Sequence, residues 1–229
     1  MNRLPLILLH GALGSSQQLQ PIVNLLSTTF DIHLLDLPGH GGRPMPTQFN
    51  FSVFQQAILD FMEKRHLEKA DFFGYSMGGY AALFLAMHFP EKVNRIMTLG
   101  TKFDWSEETA AKEVKQLNAE KILEKVPAFA AKLQSLHAPN DWKSILKLTA
   151  DMMLELGQHA PLNSEELSEI NHPVLLSVGD TDTMAGLKAT VQTYEKLTNA
   201  QLWVVPNTPH PIEKVDTILL TEMMKRFFS

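Results

Sequence analysis

The sequence contains no cysteine and no long apolar run. Without cysteine the chain cannot form disulfides, thiolate zinc sites or cysteine nucleophiles. No apolar stretch approaches the roughly 18 to 20 residues that a membrane-spanning helix needs. The 20 basic and 25 acidic residues give a net charge of −5, which argues against a binder of nucleic acid or of anionic membranes. We therefore expect a soluble chain without a nucleic-acid or membrane partner, with the cytoplasm as its default location.

The length and hydrophobic content favour a folded α/β domain. The chain has 229 residues, of which 45% are hydrophobic, and this is enough for one domain with a sizeable core. The apolar run at residues 4–9 follows Arg3 and has the outline of a short signal peptide. Because this run is short and contains Pro5, we interpret it as a buried strand.

Short apolar runs alternate with longer amphipathic segments along most of the chain. This alternation is typical of a parallel sheet with helices on both faces. The predicted strands span residues 4–9, 30–35, 70–75, 93–99, 173–178 and 201–205. The predicted helices lie near residues 17–28, 51–66, 77–89, 184–197 and 212–228.

The alternation is interrupted at residues 102–168, where no strand-like run occurs. We interpret this segment, the helical insertion, as a lid on a core domain formed by residues 1–101 and 169–229. Such an insertion can roof a pocket at the carboxyl ends of the strands, where open α/β sheets place their sites. Two apolar stripes with helical spacing run through it, and they comprise Ala111, Val114, Leu117, Ile122 and Val126, then Trp142, Ile145, Leu146, Thr149, Met152, Met153 and Leu156.

Residues 74–78 have the pattern G-x-S-x-G between a predicted strand and a predicted helix. A Cβ at Gly74 or Gly78 would collide with neighbouring backbone in the sharp turn that exposes such a serine. Ser76 would lie at a helix N-terminus, where free N–H groups favour negative charge. The alternative is an ordinary turn with Ser76 as a helix cap. The flanking strand and helix favour Ser76 as a nucleophile.

A serine nucleophile needs a base, and the base needs a carboxylate that orients it. These groups can follow one another in the chain order serine, acid, histidine. Asp180 and Asp182 follow the strand predicted at 173–178. His210 follows the next strand, and it is the only one of the 9 histidines beyond these acids. We therefore expect His210 to be the base.

The tetrahedral intermediate of acyl transfer needs N–H donors, which form an oxyanion hole. We expect one donor from Met77, the residue after the nucleophile, and one from Ala12 in the loop after the first strand. The alternative for this loop is a simple glycine-rich turn. No lysine follows its glycines, so phosphate binding is not expected. We also expect no cofactor and no metal ion.

Five segments, taken in order, resemble motifs of the α/β-hydrolase superfamily. The resemblance covers nearly the whole chain and implies the α/β-hydrolase fold, with a mostly parallel six-stranded sheet, helices on both faces and a helical lid insertion. It also implies that the turn after the second strand is structural. The segments are His10-Gly11-Ala12, Asp36-Leu37-Pro38-Gly39-His40-Gly41, Gly74-Tyr75-Ser76-Met77-Gly78-Gly79, Gly179-Asp180-Thr181-Asp182 and His210.

The chain departs from the family before its first strand. The family usually has an N-terminal hairpin there, whereas Met1 stands only three residues before the strand. We therefore expect the hairpin to be absent and residues 30–35 to form an edge strand. Asp31 and His33 on this edge could discourage pairing with a second chain. The expected state is a monomer or a homodimer.

Within the superfamily, the chain resembles small serine carboxylesterases and the menaquinone-pathway 2-succinyl-6-hydroxy-2,4-cyclohexadiene-1-carboxylate synthases. The serine disfavours dehalogenase and epoxide-hydrolase branches, which carry aspartate at this position. The synthase substrate is a polycarboxylate, for which arginine is the natural partner. No arginine occurs from residue 96 to 225, and Tyr80 stands where the synthases tend to carry one. The lysines of the insertion alternate with glutamates, as on a solvated face.

We therefore expect a serine hydrolase that cleaves small, mostly apolar carboxylic esters. The alternatives are a synthase-like lyase, a cofactor-free perhydrolase and a non-catalytic ligand-binding protein. The insertion suggests an apolar, adaptable acyl pocket. The residues that we expect to bind substrate are Leu13, Tyr75, Trp142, Leu146, Met152 and Met153.

Three aspartates are candidates for the acid that orients His210, and the loop that carries this acid in the α/β-hydrolase superfamily distinguishes between them. It reads Gly, two variable residues, then Asp, and with Gly179 this spacing selects Asp182 over Asp180. Asp104 precedes a predicted helix start. We predict that Asp182→Asn lowers turnover by orders of magnitude, whereas Asp180→Asn and Asp104→Asn stay within about tenfold. Steady-state kinetics of the three variants measure these changes in turnover. A large loss in Asp104→Asn alone would assign the orienting acid to Asp104, after the earlier strand.

Overall fold

The computed structural model describes residues 5–229, and in this part of the chain six parallel strands form one sheet. The predicted six-stranded sheet is therefore confirmed, and its strand order is β2-β1-β3-β4-β5-β6. Arg3, Leu4 and any segment before β1 lie outside the described residues, and so does the expected absence of a hairpin. The strands are β1 (Pro5–Leu9), β2 (Asp31–Leu35), β3 (Ala70–Tyr75), β4 (Val93–Leu99), β5 (Val174–Gly179) and β6 (Ala200–Val205).

Helices connect the strands on both faces of the sheet. No helix within residues 5–229 combines the length and the apolar character needed to cross a membrane. Short 3-10 helices occupy Ser16–Leu19, Pro90–Lys92 and Ile212–Lys214. The α-helices are α1 (Gln20–Leu26), α2 (Phe51–Lys64), α3 (Met77–His88), α4 (Glu107–Val114), α5 (Ala119–Lys125), α6 (Pro127–His137), α7 (Trp142–Gln158), α8 (Ser164–Ser168), α9 (Leu187–Tyr194) and α10 (Thr217–Phe228).

The two faces of the sheet carry separate hydrophobic cores. Side chains alternate along a strand, so Ile7 and Leu9 contribute to one core while Leu6 and Leu8 contribute to the other. The first core includes α2 and α3, and the second includes α1 and α10. Every described residue of β1, β3 and β5 is buried. The carboxyl ends of these strands therefore form a firm base for the loops that follow them.

The helical insertion contains α4 to α8, and α7 packs on α4. The predicted stripe along α7 is buried from Trp142 to Leu156, as its spacing indicated. The predicted stripe at the start of the insertion is confirmed at Leu117 and Ile122, which pack in a small core of the insertion. It is wrong at Val126, which is exposed, and along α4, which buries Ala110 and Glu113 rather than Ala111 and Val114. In a short helix, contacts with the rest of the protein decide which face is buried. Two apolar residues on α4 were too few to predict that face.

A buried ion pair ties the C-terminal helix to the sheet. Arg95 on β4 donates from Nη2 to Asp71 Oδ2 at 2.8 Å and from Nε to Asp71 Oδ1 at 3.1 Å. Only 3% of the Asp71 side chain is exposed. The guanidinium also donates to the carbonyls of Phe227 and Phe228 at the end of α10. Arg95 thus neutralises a buried charge and binds the last turn of the chain.

Arg95→Met should lower the free energy of unfolding by about 3 to 5 kcal/mol, because it leaves the Asp71 carboxylate buried without its cation. Urea unfolding monitored by circular dichroism measures the change. The matched control is Arg226→Met, an exposed arginine on α10, which should stay within about 0.5 kcal/mol of the wild type. Equal unfolding midpoints for both variants would contradict this role of Arg95.

Candidate active site

The carboxyl ends of the parallel strands bring the predicted catalytic residues to one edge of the sheet. Ser76 follows β3, Asp182 lies in the loop after β5, and His210 lies in the loop after β6. In the sheet, β3 is followed by β4, β5 and β6 in that order, so only β4 stands between the strand of Ser76 and the other two. Residues far apart in sequence therefore meet above β4.

Ser76 occupies a strained turn between β3 and α3. Its φ of 51° and ψ of −115° are unusual for a residue with a side chain. The turn requires glycine at both neighbouring positions. A Cβ on Gly74 would lie 2.3 Å from Gly79 N, and a Cβ on Gly78 would lie 2.4 Å from Leu9 O. Strand and helix approach too closely for any larger residue at either glycine. The turn presents the serine at the helix N-terminus.

The end of β4 holds the backbone of this turn. Ser76 N donates to Leu99 O at 2.8 Å, and Thr101 Oγ1 donates to Ser76 O at 2.9 Å. Sequence reasoning missed Thr101, which is buried two residues after the end of β4. The threonine next to Gly100 was the available signal, and the sequence alone does not show that its hydroxyl is buried.

Asp182 and His210 are joined by a short hydrogen bond, with His210 Nδ1 donating to Asp182 Oδ2 at 2.8 Å. Only 2% of the Asp182 side chain is exposed. Its other oxygen accepts from Met184 N and Ala185 N, both at 2.9 Å. These bonds fix the carboxylate and stabilise its charge, and the carboxylate in turn holds the imidazole with Nε2 directed away from it.

The other two candidate acids have different positions. Asp104 and Asp180 are exposed. Asp180 Oδ1 accepts from Thr208 N at 3.2 Å and so supports the loop that carries His210. Tyr75 supports the same loop, since its hydroxyl donates to His210 O at 3.1 Å. Of the three predicted acids, Asp182 is the one that contacts the imidazole.

Ser76 and His210 both lie against residues 99–101 at the end of β4. A Cβ on Gly100 would stand 3.3 Å from His210 Nδ1, while Leu99 and Thr101 bond the backbone of Ser76. Within residues 5–229 no hydrogen bond joins the Ser76 hydroxyl to His210. Catalytic hydrogen bonds of this kind are often loose without substrate and tighten in the complex.

Ala12 and Met77 flank Ser76 in the wall of one cavity. Among the described residues, neither the Ala12 N–H nor the Met77 N–H donates to another protein group. Met77 is also the first residue of α3, where the helix dipole favours an anion. The next residue after Ala12, Leu13, has a φ of 57°, which turns the loop sharply beside the serine. Both amides are available to an oxyanion.

Three histidines lie beneath the loop that carries Ala12. His10 Nδ1 donates to Gly11 O at 2.8 Å, and its Nε2 accepts from Leu37 N at 3.0 Å. The His40 ring stands between the rings of His10 and His137, with centroids 4.9 and 5.6 Å away. Burial lowers the pKa of His10 to about 4 and also lowers the pKa of His40 and of His137. All three are therefore neutral at pH 7.

His137 joins the insertion to this loop. It lies at the end of α6, donates from Nε2 to Leu13 O at 3.1 Å, and accepts at Nδ1 from Gly41 N at 3.2 Å. Asn140 adds two bonds nearby, from Nδ2 to the carbonyls of Gly39 and Arg43. The insertion is therefore anchored on the turn after β2.

The cavity at Ser76 is partly open to solvent and mainly apolar. Met152 and Met153 line it, as the sequence predicted. Lys102 and Glu113 also line it, which sequence reasoning missed because it treated the charged residues of the insertion as a solvated face. The remaining lining residues are Ala12, Phe51, Ser76, Met77, Tyr80, Trp105, Leu156 and Met184.

Four predicted substrate-binding residues lie outside this lining. Trp142 and Leu146 are buried in a small core of the insertion with Leu133, and Leu13 packs against that core. Tyr75 is buried in the second core of the sheet, where its hydroxyl contacts the loop of His210. The stripe on α7 faces both this small core and the cavity, and its spacing could not tell the two parts apart.

No group of three or more His, Asp or Glu residues within the described chain could hold a metal ion. The parallel sheet, the serine on its strand-to-helix turn, and the acid and histidine on the two following strands together define the α/β-hydrolase class. A family model described as the alpha/beta hydrolase fold matches residues 5–132. The chain belongs to this family.

The relatives that the chain matches include esterases. It is 28% identical to Esterase YbfF of Escherichia coli over 98 residues, which cover 43% of this chain and 39% of that protein. It is 26% identical over 225 residues to a pimeloyl-[acyl-carrier protein] methyl ester esterase of Neisseria meningitidis, covering 89% of this chain and 85% of that one. The structure of MenH from S. aureus superposes with a TM-score of 0.79 at 19% identity, covering 99% of this chain and 94% of MenH.

Acidification should destabilise the fold through the three buried histidines. Their pKa values in the folded chain lie below the ordinary value of 6.5, so the unfolded chain binds more protons as the pH falls through this window. With respect to these three rings the fold is therefore most stable above pH 6.5 and loses stability as the pH falls below that value. Each histidine adds a slope of at most about 1.4 kcal/mol per pH unit, and urea midpoints measured from about pH 7 to about pH 5 should fall.

Two variants control this measurement. His159 is exposed, so His159→Gln should follow the wild-type curve. His40→Gln removes one buried histidine and should flatten the curve. Midpoints that do not change over this pH range in the wild type would contradict the role assigned to the three rings.

Proposed function

We propose that this protein is a serine esterase that cleaves small, mostly apolar carboxylic esters through an acyl-enzyme intermediate. The observation that carries the proposal is the 2.8 Å hydrogen bond between His210 and the buried Asp182, formed beside a serine on a strained turn. The esterase relatives support an enzyme of this broad type.

In the acylation step, Ser76 Oγ attacks the ester carbonyl while His210 Nε2 accepts the hydroxyl proton. Asp182 holds the imidazole in the tautomer with Nδ1 protonated, and its negative charge stabilises the imidazolium that forms. The imidazolium then gives its proton to the oxygen of the departing alcohol. The products of this step are the alcohol and an ester on Ser76.

The carbonyl oxygen becomes negatively charged in the tetrahedral intermediate. The N–H groups of Ala12 and Met77 are the donors placed to bind it, since both line the cavity at Ser76. Donors of this kind commonly contribute a hundredfold to a thousandfold in rate each. In the second half of the reaction, water attacks the acyl-enzyme with His210 again as the base, and the free acid leaves.

The apolar wall of the cavity favours acyl chains without charge. Phe51, Met152, Met153 and Leu156 supply aromatic and flexible side chains that adapt to chains of different shape. Uncharged esters of short to medium chain length are therefore the substrate class that we propose.

A synthase-like lyase would need cations for its polycarboxylate substrate. Of the described residues that line the cavity, Lys102 is the only cation, and Glu113 stands beside it. Tyr80, at the position where an arginine would be expected for the synthase, accepts a hydrogen bond from Leu162 N at 3.1 Å. Ester hydrolysis therefore fits the cavity better. Perhydrolysis would use the same three residues with peroxide as the acceptor.

Ser76→Ala should abolish covalent labelling by a fluorophosphonate probe and lower turnover of p-nitrophenyl butyrate by roughly a thousandfold or more, because the nucleophile is lost. Labelling is read by intact-protein mass spectrometry, and turnover by release of p-nitrophenol. Ser168→Ala is the control, since Ser168 is exposed on α8, and it should label and react like the wild type. Near-native turnover by Ser76→Ala would refute the proposed nucleophile.

A further inference from the structure

Lys102 and Glu113 form an ion pair in the wall of the Ser76 cavity. Lys102 Nζ lies 3.7 Å from Glu113 Oε1, and the exposed fractions of the two side chains are only 11% and 5%. Lys102 directly follows Thr101, whose hydroxyl bonds the carbonyl of Ser76. Both residues of the pair line the cavity that Ser76 lines.

The pair leaves part of its hydrogen-bonding capacity unused. A distance of 3.7 Å is too long for a hydrogen bond. Lys102 Nζ donates once, to Met184 O at 3.3 Å, although an ammonium group has three N–H donors. Within residues 5–229 the Glu113 carboxylate accepts no hydrogen bond. A buried carboxylate in this condition is costly, because its lost hydration is only partly replaced.

The surroundings of Lys102 and Glu113 would strengthen a hydrogen bond between either side chain and a ligand. Trp105 packs beside Lys102, with Nζ 5.4 Å from the ring centroid, and the other cavity walls are apolar. A hydrogen bond formed in such low-dielectric surroundings is stronger than the same bond in water. A polar group that reaches the pair would therefore gain more here than elsewhere in the cavity.

Building on the esterase function proposed above, we propose that Lys102 and Glu113 form a specificity site for a neutral polar group on the substrate, a hydroxyl or a carboxamide. Such a group accepts a hydrogen bond from Lys102 Nζ and donates one to the Glu113 carboxylate. A carboxylate on the substrate would be attracted by the lysine but repelled by the glutamate. An ammonium group on the substrate would be attracted by the glutamate but repelled by the lysine. The two charges of the pair cancel, so the pair selects a neutral group.

The site lies where the cavity meets a second cleft. Lys102, Glu113 and Met184 line both the Ser76 cavity and an adjoining open cleft that also contacts Lys112 and Gln192. A polar group bound at the pair therefore lies at the junction of the two spaces.

Two esters of equal length test this site. p-Nitrophenyl heptanoate and the p-nitrophenyl ester of ω-hydroxyhexanoic acid differ only in a terminal methyl or hydroxyl group. We measure the kcat/KM of each and take the ratio of the hydroxy ester to the apolar ester. The variant Lys102→Met/Glu113→Leu replaces both charges, because removing one alone would strand the other in the interior. We expect its ratio to be about tenfold below that of the wild type, the loss of one to two hydrogen bonds.

The matched control is Lys147→Met/Asp151→Leu, which removes an exposed ion pair on α7, the helix that also carries Met152. Its ratio should equal that of the wild type, and thermal unfolding shows whether each double variant is folded. The half-ester of adipic acid with p-nitrophenol serves as the anionic comparison. In the wild type it should react more slowly than the hydroxy ester.

The outcomes separate this inference from the function on which it rests. An unchanged ratio in a folded Lys102→Met/Glu113→Leu protein that still labels at Ser76 overturns the specificity site and leaves the esterase proposal intact. Faster turnover of the adipate ester than of the hydroxy ester overturns the site in favour of an anion site at Lys102. A wild type that neither labels nor turns over any ester overturns both.

Discussion

Ser76 is held at a φ of 51° because β3 and α3 pack too closely around it to allow another path. A residue with a side chain in such a conformation costs of order 1 to 3 kcal/mol, and the buried contacts of strand and helix offset that cost. The position of Ser76 in the cavity wall, the Met77 N–H at the helix end and the bond from Thr101 all follow from this one turn. The proposed base and acid follow neighbouring strands, and parallel strands present the loops after them at the same edge of the sheet.

The sequence predicted what depends on local pattern and chain order. Ser76 was recognisable from its two glycines, and His210 from its place after the last strand. Asp182 needed the family spacing to separate it from Asp180, and the structure puts Asp182 on the imidazole while Asp180 supports the loop. Each of these residues is fixed by a strand end close to it in sequence.

What could not be predicted depends on contacts between distant segments. Trp142 and Met152 share one apolar stripe on α7, yet Trp142 packs inside the insertion and Met152 lines the cavity. The phase of α4 was misjudged by one residue, and Glu113 lies on the face that this helix buries. The family match ends at residue 132, so α7 and the loops of Asp182 and His210 lie beyond the segment that it covers.

The hydrogen bond from His137 to Leu13 O ties one part of the insertion, α6, to the loop beside Ser76. At α6 the insertion is fastened to the turn after β2 and to the loop that carries the Ala12 amide. Displacing α6 would therefore also displace the Ala12 amide, which is one of the two proposed oxyanion donors. We therefore expect α6 to keep its position when a substrate binds, because the loop that carries Ala12 depends on it.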